Sequence, residues 1–184
     1  MSSIRISAPL AKAEAAKLRA GDEVLISGYI YTARDAAHKR LCEMLDRGEE
    51  LPFDIKDSVI YYVGPTPARD GDIIGSCGPT TSGRMDAYAP LLIALGETGM
   101  IGKGERLPSV VEAMKEHTAV YFAAIGGAGA LLASTVKERV PVAFPDLGAE
   151  EIVRLKVEDF PAVVVIDSLG NNAYRTEREK YEIK

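Results

Sequence analysis

Residues 118–136 read TAVYFAAIGGAGALLASTV, 19 residues without a charge. About 20 apolar residues suffice to cross a bilayer, so length and hydropathy alone would allow a membrane span. The interior of the run argues otherwise. Val120-Tyr121-Phe122 is β-branched and aromatic, the composition of a strand. Gly126, Gly127 and Gly129 interrupt the centre, and Ala130-Leu131-Leu132-Ala133 favours a helix. The segment therefore predicts a buried strand, a glycine turn and a buried helix, which is a unit of an α/β fold.

The same alternation extends in both directions. Upstream, Pro108 to His117 reads as a helix and Gly96 to Gly104 as a loop with four glycines. Ser82 to Leu95 reads as a helix, kinked or restarted at Pro90. Val59–Val63 and Asp72–Cys77 read as strands, each running into Gly-Pro-Thr. At the start, a strand over Ile4–Ser7 leads to a helix over Leu10–Ala20 and a strand from Val24 to Tyr31. Thr32 is then placed to cap a helix from Ala33 to Arg47, with Ala37, Leu41, Met44 and Leu45 as its core face. Downstream, Val140–Phe144, Ile152–Val157 and Ala162–Ile166 read as strands, with Pro145 and Pro161 as stops or edge markers. Asp167 to Asn172 is a turn, and the charged tail from Tyr174 is expected on the surface. No linker divides residues 1–184, so we expect a single α/β domain with some antiparallel strands.

With 184 residues the chain suits one domain. Its net charge of −5 and lack of a basic stretch argue against nucleic acid as a partner. Cys42 and Cys77 are too few for a disulfide framework or a self-sufficient metal cage, which favours a reducing, cytoplasmic setting. The residues after Met1 lack the apolar core and cleavage site of a signal peptide.

Four segments could carry chemistry. In Gly78-Pro79-Thr80-Thr81-Ser82-Gly83-Arg84-Met85-Asp86 a strand gives way to a helix among hydroxyl side chains and an arginine. That composition suits a carboxylate or phosphate, and also plain capping by Thr81 or Ser82 with Arg84 on the surface. In Thr32-Ala33-Arg34-Asp35-Ala36-Ala37-His38-Lys39-Arg40, Arg34 and His38 are one turn apart. Arg34 opposes the helix dipole, which suggests an anion partner, while a solvated face with an Asp35–Lys39 pair is the plainer reading. Gly99-Met100-Ile101-Gly102-Lys103-Gly104 puts a lysine between glycines without the pattern of a P-loop. Gly127-x-Gly129 begins a dinucleotide fingerprint that fails at Leu132.

Six stretches occur in a specific order: GYIYTARDAAHKRL (28–41), YYVGPTPA (61–68), GSCGPTTSGRMDAYAPLL (75–92), GMIGKG (99–104), GGAGALL (126–132) and DFPAVVVIDSLGN (159–171). Together they resemble the β subunit, or C-terminal domain, of the class I fumarase and L-tartrate dehydratase family of iron–sulfur hydro-lyases. The resemblance implies a swivelling β/β/α domain with mixed sheets and flanking helices. It implies an α subunit that carries the [4Fe–4S] cluster, so that this chain is inactive alone, and an assembly as a dimer of heterodimers. It also implies a small dicarboxylate substrate bound by Arg34, Arg84 and Lys103, with Thr80 in proton transfer. His38, Thr81 and Asp86 would support them, Asp86 by orienting Arg84 or capping the turn. Cations in such a site stabilise the charge that develops when a C–H proton leaves beside a carboxylate.

The first functional expectation is thus a fumarate/malate hydro-lyase β subunit, with tartrate as the alternative substrate. A second is a non-catalytic small-anion or nucleotide-binding module. A third is an assembly partner that docks through residues 126–133.

Overall fold

The computed structural model describes residues 3–125 and 127–176. Gly126 and the charged tail beyond Thr176 lie outside the described residues. Strand β1 (Ile4–Ala8), helix α1 (Lys12–Ala15), strand β2 (Glu23–Thr32) and helix α2 (Asp35–Asp46) open the chain. Strand β3 (Val59–Tyr61) is followed by a long irregular stretch, a 3-10 turn over Ser82–Met85 and helix α3 (Ala89–Leu95). Strand β4 (Gly99–Gly102), helix α4 (Pro108–His117), strand β5 (Val120–Ala123) and helix α5 (Gly129–Ser134) come next. Strand β6 (Val136–Ala143), a 3-10 segment over Pro145–Glu150 and strand β7 (Ile152–Ile166) end the described elements.

The sheet has seven strands in the order β1-β2-β3-β4-β5-β7-β6. Strands β1 to β5 run parallel, while β7 is antiparallel to β5, β6 and β2. Because β7 pairs with both β5 and β2, the sheet curls back on itself. Side chains alternate along the central strands, as a pleat requires. Tyr61, Ile101 and Phe122 point into the curl with Ile26, Leu155 and Phe160. Ile60, Met100 and Tyr121 point outward and are covered by Leu41, Leu92 and Met114, from α2, α3 and α4. Each such large apolar side chain stabilises the fold by roughly 1.5–3 kcal/mol when fully buried.

The uncharged run at 118–136 is resolved as expected into β5, a turn and α5 before β6 begins, and no helix among the described residues is long and apolar enough to cross a membrane. Pro90 sits in the first turn of α3, so the helix restarts there.

Several expectations need correction. The first helix spans only Lys12–Ala15, because the side chain of Asp22 takes the amide of Arg19 and the Arg19 guanidinium takes the carbonyls of Ala16 and Leu18. Thr32 does not cap α2. Its hydroxyl donates to Glu151 O and accepts from Val153 N, tying β2 to β7. The core face of α2 is Ala37, His38 and Leu41 with Leu45 packed partly against it, so of the expected residues Met44 is replaced by His38. Asp72–Cys77 is no strand: Thr66 N and Cys77 N bond across it to Ser76 O and Gly129 O as a folded loop. The glycine-rich 96–104 segment contains buried strand β4. A Cβ on Gly99 would come within 2.9 Å of Val59, and one on Gly102 would collide with Ser82, so these glycines serve close packing. Finally, Pro161 does not stop a strand. It marks an edge instead, as the alternative expected: among the described residues it lies between the β6-paired and β5-paired stretches of β7, with β2 as its one neighbour, so its missing N–H leaves no ladder bond unmade. In the tail, Tyr174 packs against the core, while Arg175 and Thr176 are exposed.

Candidate functional site at the carboxyl edge of the parallel strands

The register fixes which residues leave the sheet together. Thr32 pairs with Tyr61, Tyr61 with Ile101, and Ile101 with Phe122. Two positions beyond that line stand Arg34, Val63 and Lys103, at the carboxyl ends of β2, β3 and β4. In α/β folds, open or closed, the carboxyl edge of the parallel strands is where ligands bind. The Gly-Pro-Thr-Thr segment is wedged into it. Thr80 N donates to Tyr62 O, Lys103 N donates to Thr80 O, and Ser82 N donates to Lys103 O. Thr80 and Thr81 therefore run between the prolonged ends of β3 and β4, with Thr81 bridged to Lys103.

From there the 3-10 turn carries Arg84 across to the start of α2. Arg84 Nη2 donates to Asp35 Oδ2 at 2.7 Å. Asp35 Oδ1 lies 3.5 Å from Arg34 Nη2, whose closer partner is Glu150 at 3.1 Å. Glu150 also accepts from Ala36 N, so it caps α2 while holding Arg34. Arg34 Nη1 rests against Gly64, where a Cβ would sit 2.7 Å away. Two arginines 49 and one residue from Asp35 thus meet on a single carboxylate. Burial alone would raise the Asp35 carboxyl, but a backbone N–H and the bond and charge of Arg84, with Arg34, hold it below its ordinary value. It is ionised at neutral pH.

His38 lies directly beneath. Its Nδ1 is 2.8 Å from Arg34 O, and since a carbonyl only accepts, Nδ1 carries the proton. Burial pushes its pKa down to about 4, with Arg106 adding to the effect, so the ring is neutral. It fixes the backbone of Arg34 as a neutral donor and packs edge-on to Tyr62.

The structure thus brings Arg34 to Arg84 through Asp35, and Thr80 to Lys103 through backbone bonds. Lys103 is exposed, but its backbone is held by Thr80 and Ser82, so it stands at the end of a strand and not within a loop. Thr81 precedes the 3-10 turn without a capping bond, and the Ser82 hydroxyl is bonded to Tyr121, so the plain capping reading fails. Asp86 does not orient Arg84. Its two oxygens accept from Arg106 Nε at 2.6 Å and Leu107 N at 2.7 Å, so it caps α4 and forms a fully buried ion pair. The Asp35–Lys39 pair is replaced too: Lys39 faces Glu43. Two cavities, of about 330 and 510 Å³, flank the 65–75 loop, and Arg34, Thr80, Arg84 and Lys103 line neither. The arginine–lysine edge is an open surface, with the Arg84 side chain 51% exposed.

Sequence reasoning missed Asp35 as a bridge, Glu150 as a partner of Arg34, and the buried Arg106. Asp35 was legible as part of the same motif. Glu150 carries no local signal, being 114 residues from the amide it caps. An iron–sulfur cluster does not fit this chain's own residues. Cys42 on α2 and Cys77 inside the curl fall short of the four thiolates that hold such a cluster, and burial raises both thiols, Cys77 to about 11. Among the described residues no three His, Cys, Asp or Glu side chains could hold a metal ion.

Comparison with known proteins adds relatives to this geometry. A family model for the fumarase C-terminus matches residues 1–177. Over 156 residues the chain is 44% identical to a protein of Leishmania major named fumarate hydratase 2, covering 84% of this chain and 28% of that one. It is 44% identical over 152 residues to the aerobic class I fumarate hydratase of Escherichia coli K12, covering 82% and 28%. It is 41% identical over 177 residues to a chain of Methanocaldococcus jannaschii provisionally named L(+)-tartrate dehydratase subunit beta, covering 93% and 91%. The chain thus spans little more than a quarter of the fumarate hydratases it matches, and nearly all of the tartrate-type subunit.

Proposed function

This chain belongs to the fumarase C-terminus family, and on that premise we propose that it is the substrate-binding β part of a hydro-lyase that interconverts malate and fumarate. Arg34 and Arg84 hold the two carboxylates of the substrate, Lys103 supplies a third cation, and Thr80 stands at the place of proton transfer. The observation that carries this reading is the meeting of Arg34 and Arg84 on one carboxylate at the carboxyl edge of the sheet. A site that orders two guanidiniums around one carboxylate is built for carboxylates, since each fork offers parallel donors.

A dicarboxylate binds there with its two negative charges facing fixed cations. As a C–H proton leaves beside one carboxylate, charge grows on that carboxylate, and preorganised Arg and Lys stabilise it. The Thr80 hydroxyl is a weak base and requires a neighbouring base to act. In this reading that base and the [4Fe–4S] cluster lie on a partner α subunit; the cluster supplies Lewis-acid help to the departing hydroxyl. The open edge supports a partner, because strong electrostatic stabilisation needs water excluded. The curled sheet suits a swivelling β/β/α domain, and a dimer of heterodimers in the cytoplasm is the assembly we propose.

A tartrate substrate is the second reading. It is favoured by the near-complete coverage of the chain provisionally named as a tartrate dehydratase β subunit. Anaerobic co-expression with candidate cluster-bearing chains, assayed on malate and tartrate, decides between them. Turnover of malate supports the first reading, turnover of tartrate alone the second. Turnover of neither by any cluster-bearing pairing, with a dicarboxylate still bound, leaves an anion-binding module.

A further inference from the structure

We propose that Asp35 is a positioning residue that clamps Arg84 beside Arg34 and thereby orders the second guanidinium in advance for the substrate's carboxylate. This rests on the reading that the two arginines bind the substrate's carboxylates.

Arg84 has one partner among the described residues. It leaves a single 3-10 turn, half exposed, and only Nη2 is held, by Asp35 Oδ2 at 2.7 Å. A half-exposed arginine without that bond samples many rotamers, and binding would have to order it each time. Asp35 removes that freedom in advance. The carboxylate itself sits on a firm base: it is the first residue of α2, whose first turn is capped by Glu150 and whose buried face includes Ala37 and Leu41.

The division of partners matters. Glu150 holds Arg34, and Asp35 holds Arg84 while its other oxygen faces Arg34 at 3.5 Å. The two guanidiniums therefore flank the width of one carboxylate. Arg84 Nη2 spends one of its two N–H bonds on Asp35, and Nε and Nη1 have no partners among the described residues, so one of its two parallel-donor edges stays available. A tether of this kind holds one donor edge ready for a carboxylate before the substrate arrives. Held ionised by its two cations, Asp35 keeps this role across the working pH range.

The test uses the assembled enzyme. In Asp35→Asn we expect KM for malate to rise at least tenfold with kcat within threefold. In an Arg84→Ala background the same substitution should change KM by less than twofold, because Asp35 acts through Arg84. A simple structural defect would lower kcat or the yield of assembled enzyme and would persist without Arg84. Should Asp35→Asn fail to assemble, Asp35→Glu keeps the charge and shifts the tether by one methylene, and KM must still rise. Unchanged or lowered KM in the Asp35 variant, with Arg84→Ala strongly impaired, overturns the clamp and leaves the binding reading intact. If Arg84→Ala itself leaves KM and kcat unaltered, the binding reading fails first.

Discussion

Replacing Glu97 by glutamine should change the pH dependence of stability more than any other single substitution in the core. Glu97 lies between α3 and β4, fully buried, and neither carboxylate oxygen has a hydrogen-bond partner among the described residues. Burial pushes its pKa from 4.5 to about 8, although the charge of Arg106 pulls the other way. Arg106 does not neutralise it, since Asp86 already takes its Nε and the guanidinium lies between the rings of Tyr62 and Tyr121. The folded protein therefore keeps a proton that the unfolded chain gives up. With more protons bound in the native state, stability falls as pH rises from 4.5 to about 8 and then levels off. At about 1.4 kcal/mol for each unit of difference, the loss between pH 5 and pH 8 is about 3 to 4 kcal/mol. Glutamine has nothing to ionise and keeps the shape. In urea denaturation at pH 5, 6, 7 and 8, the Glu97→Gln variant should match or fall slightly below the parent at pH 5. It should exceed the parent by a margin that grows by that amount towards pH 8. Parallel stability curves for the two proteins would refute the reasoning, because they would mean that Glu97 is ionised in the folded state.

Other outcomes follow from the same geometry. Arg34→Lys or Arg84→Lys in the assembled enzyme keeps the charge but loses the fork; turnover should fall by roughly 100-fold, about 3 kcal/mol of transition-state stabilisation, in a steady-state assay. Thr80→Ser should retain more activity than Thr80→Ala if the hydroxyl takes part in proton transfer, as relative kcat will show. Asp86→Ala leaves Arg106 buried without its counter-charge and should cost about 3–5 kcal/mol by chemical denaturation. The chain purified alone should be colourless and inactive on malate; an iron content near four per chain, with turnover, would contradict the assignment of the cluster to a partner.

The strand and helix content was legible wherever apolar residues kept one period over enough length. Helix α4, strand β5 and helix α5 fall where the pattern put them. The misreadings have different causes: a nearby side chain ended α1, backbone bonds folded the 72–77 loop, and tertiary partners took over groups the sequence left open. Thr32 was free to cap α2 in the sequence, but in the fold its hydroxyl serves β7. The glycines around Met100 and Ile101 read as a loop because a sequence does not distinguish glycine needed for freedom from glycine needed for closeness. The edge site was partly legible. Arg34, Thr80, Arg84 and Lys103 stand out as polar residues after apolar runs, and the register places Arg34 and Lys103 level with each other. What the sequence withheld was the set of carboxylates that hold them. Glu150 meets Arg34 only because the 3-10 segment before β7 returns to the start of α2. Asp86 stands two residues from Arg84 yet turns to Arg106, whose burial no local pattern signals.

The central claim is that Arg34 and Arg84 grip the two ends of one dicarboxylate. A crystal structure of the anaerobically assembled enzyme with malate bound tests it most directly. Each arginine should lie about 2.7–3.2 Å, nitrogen to oxygen, from a carboxylate of the same malate molecule, with Lys103 on the same ligand. Malate held only by partner residues, or touching one arginine while the other remains on Asp35 or Glu150 alone, would contradict it.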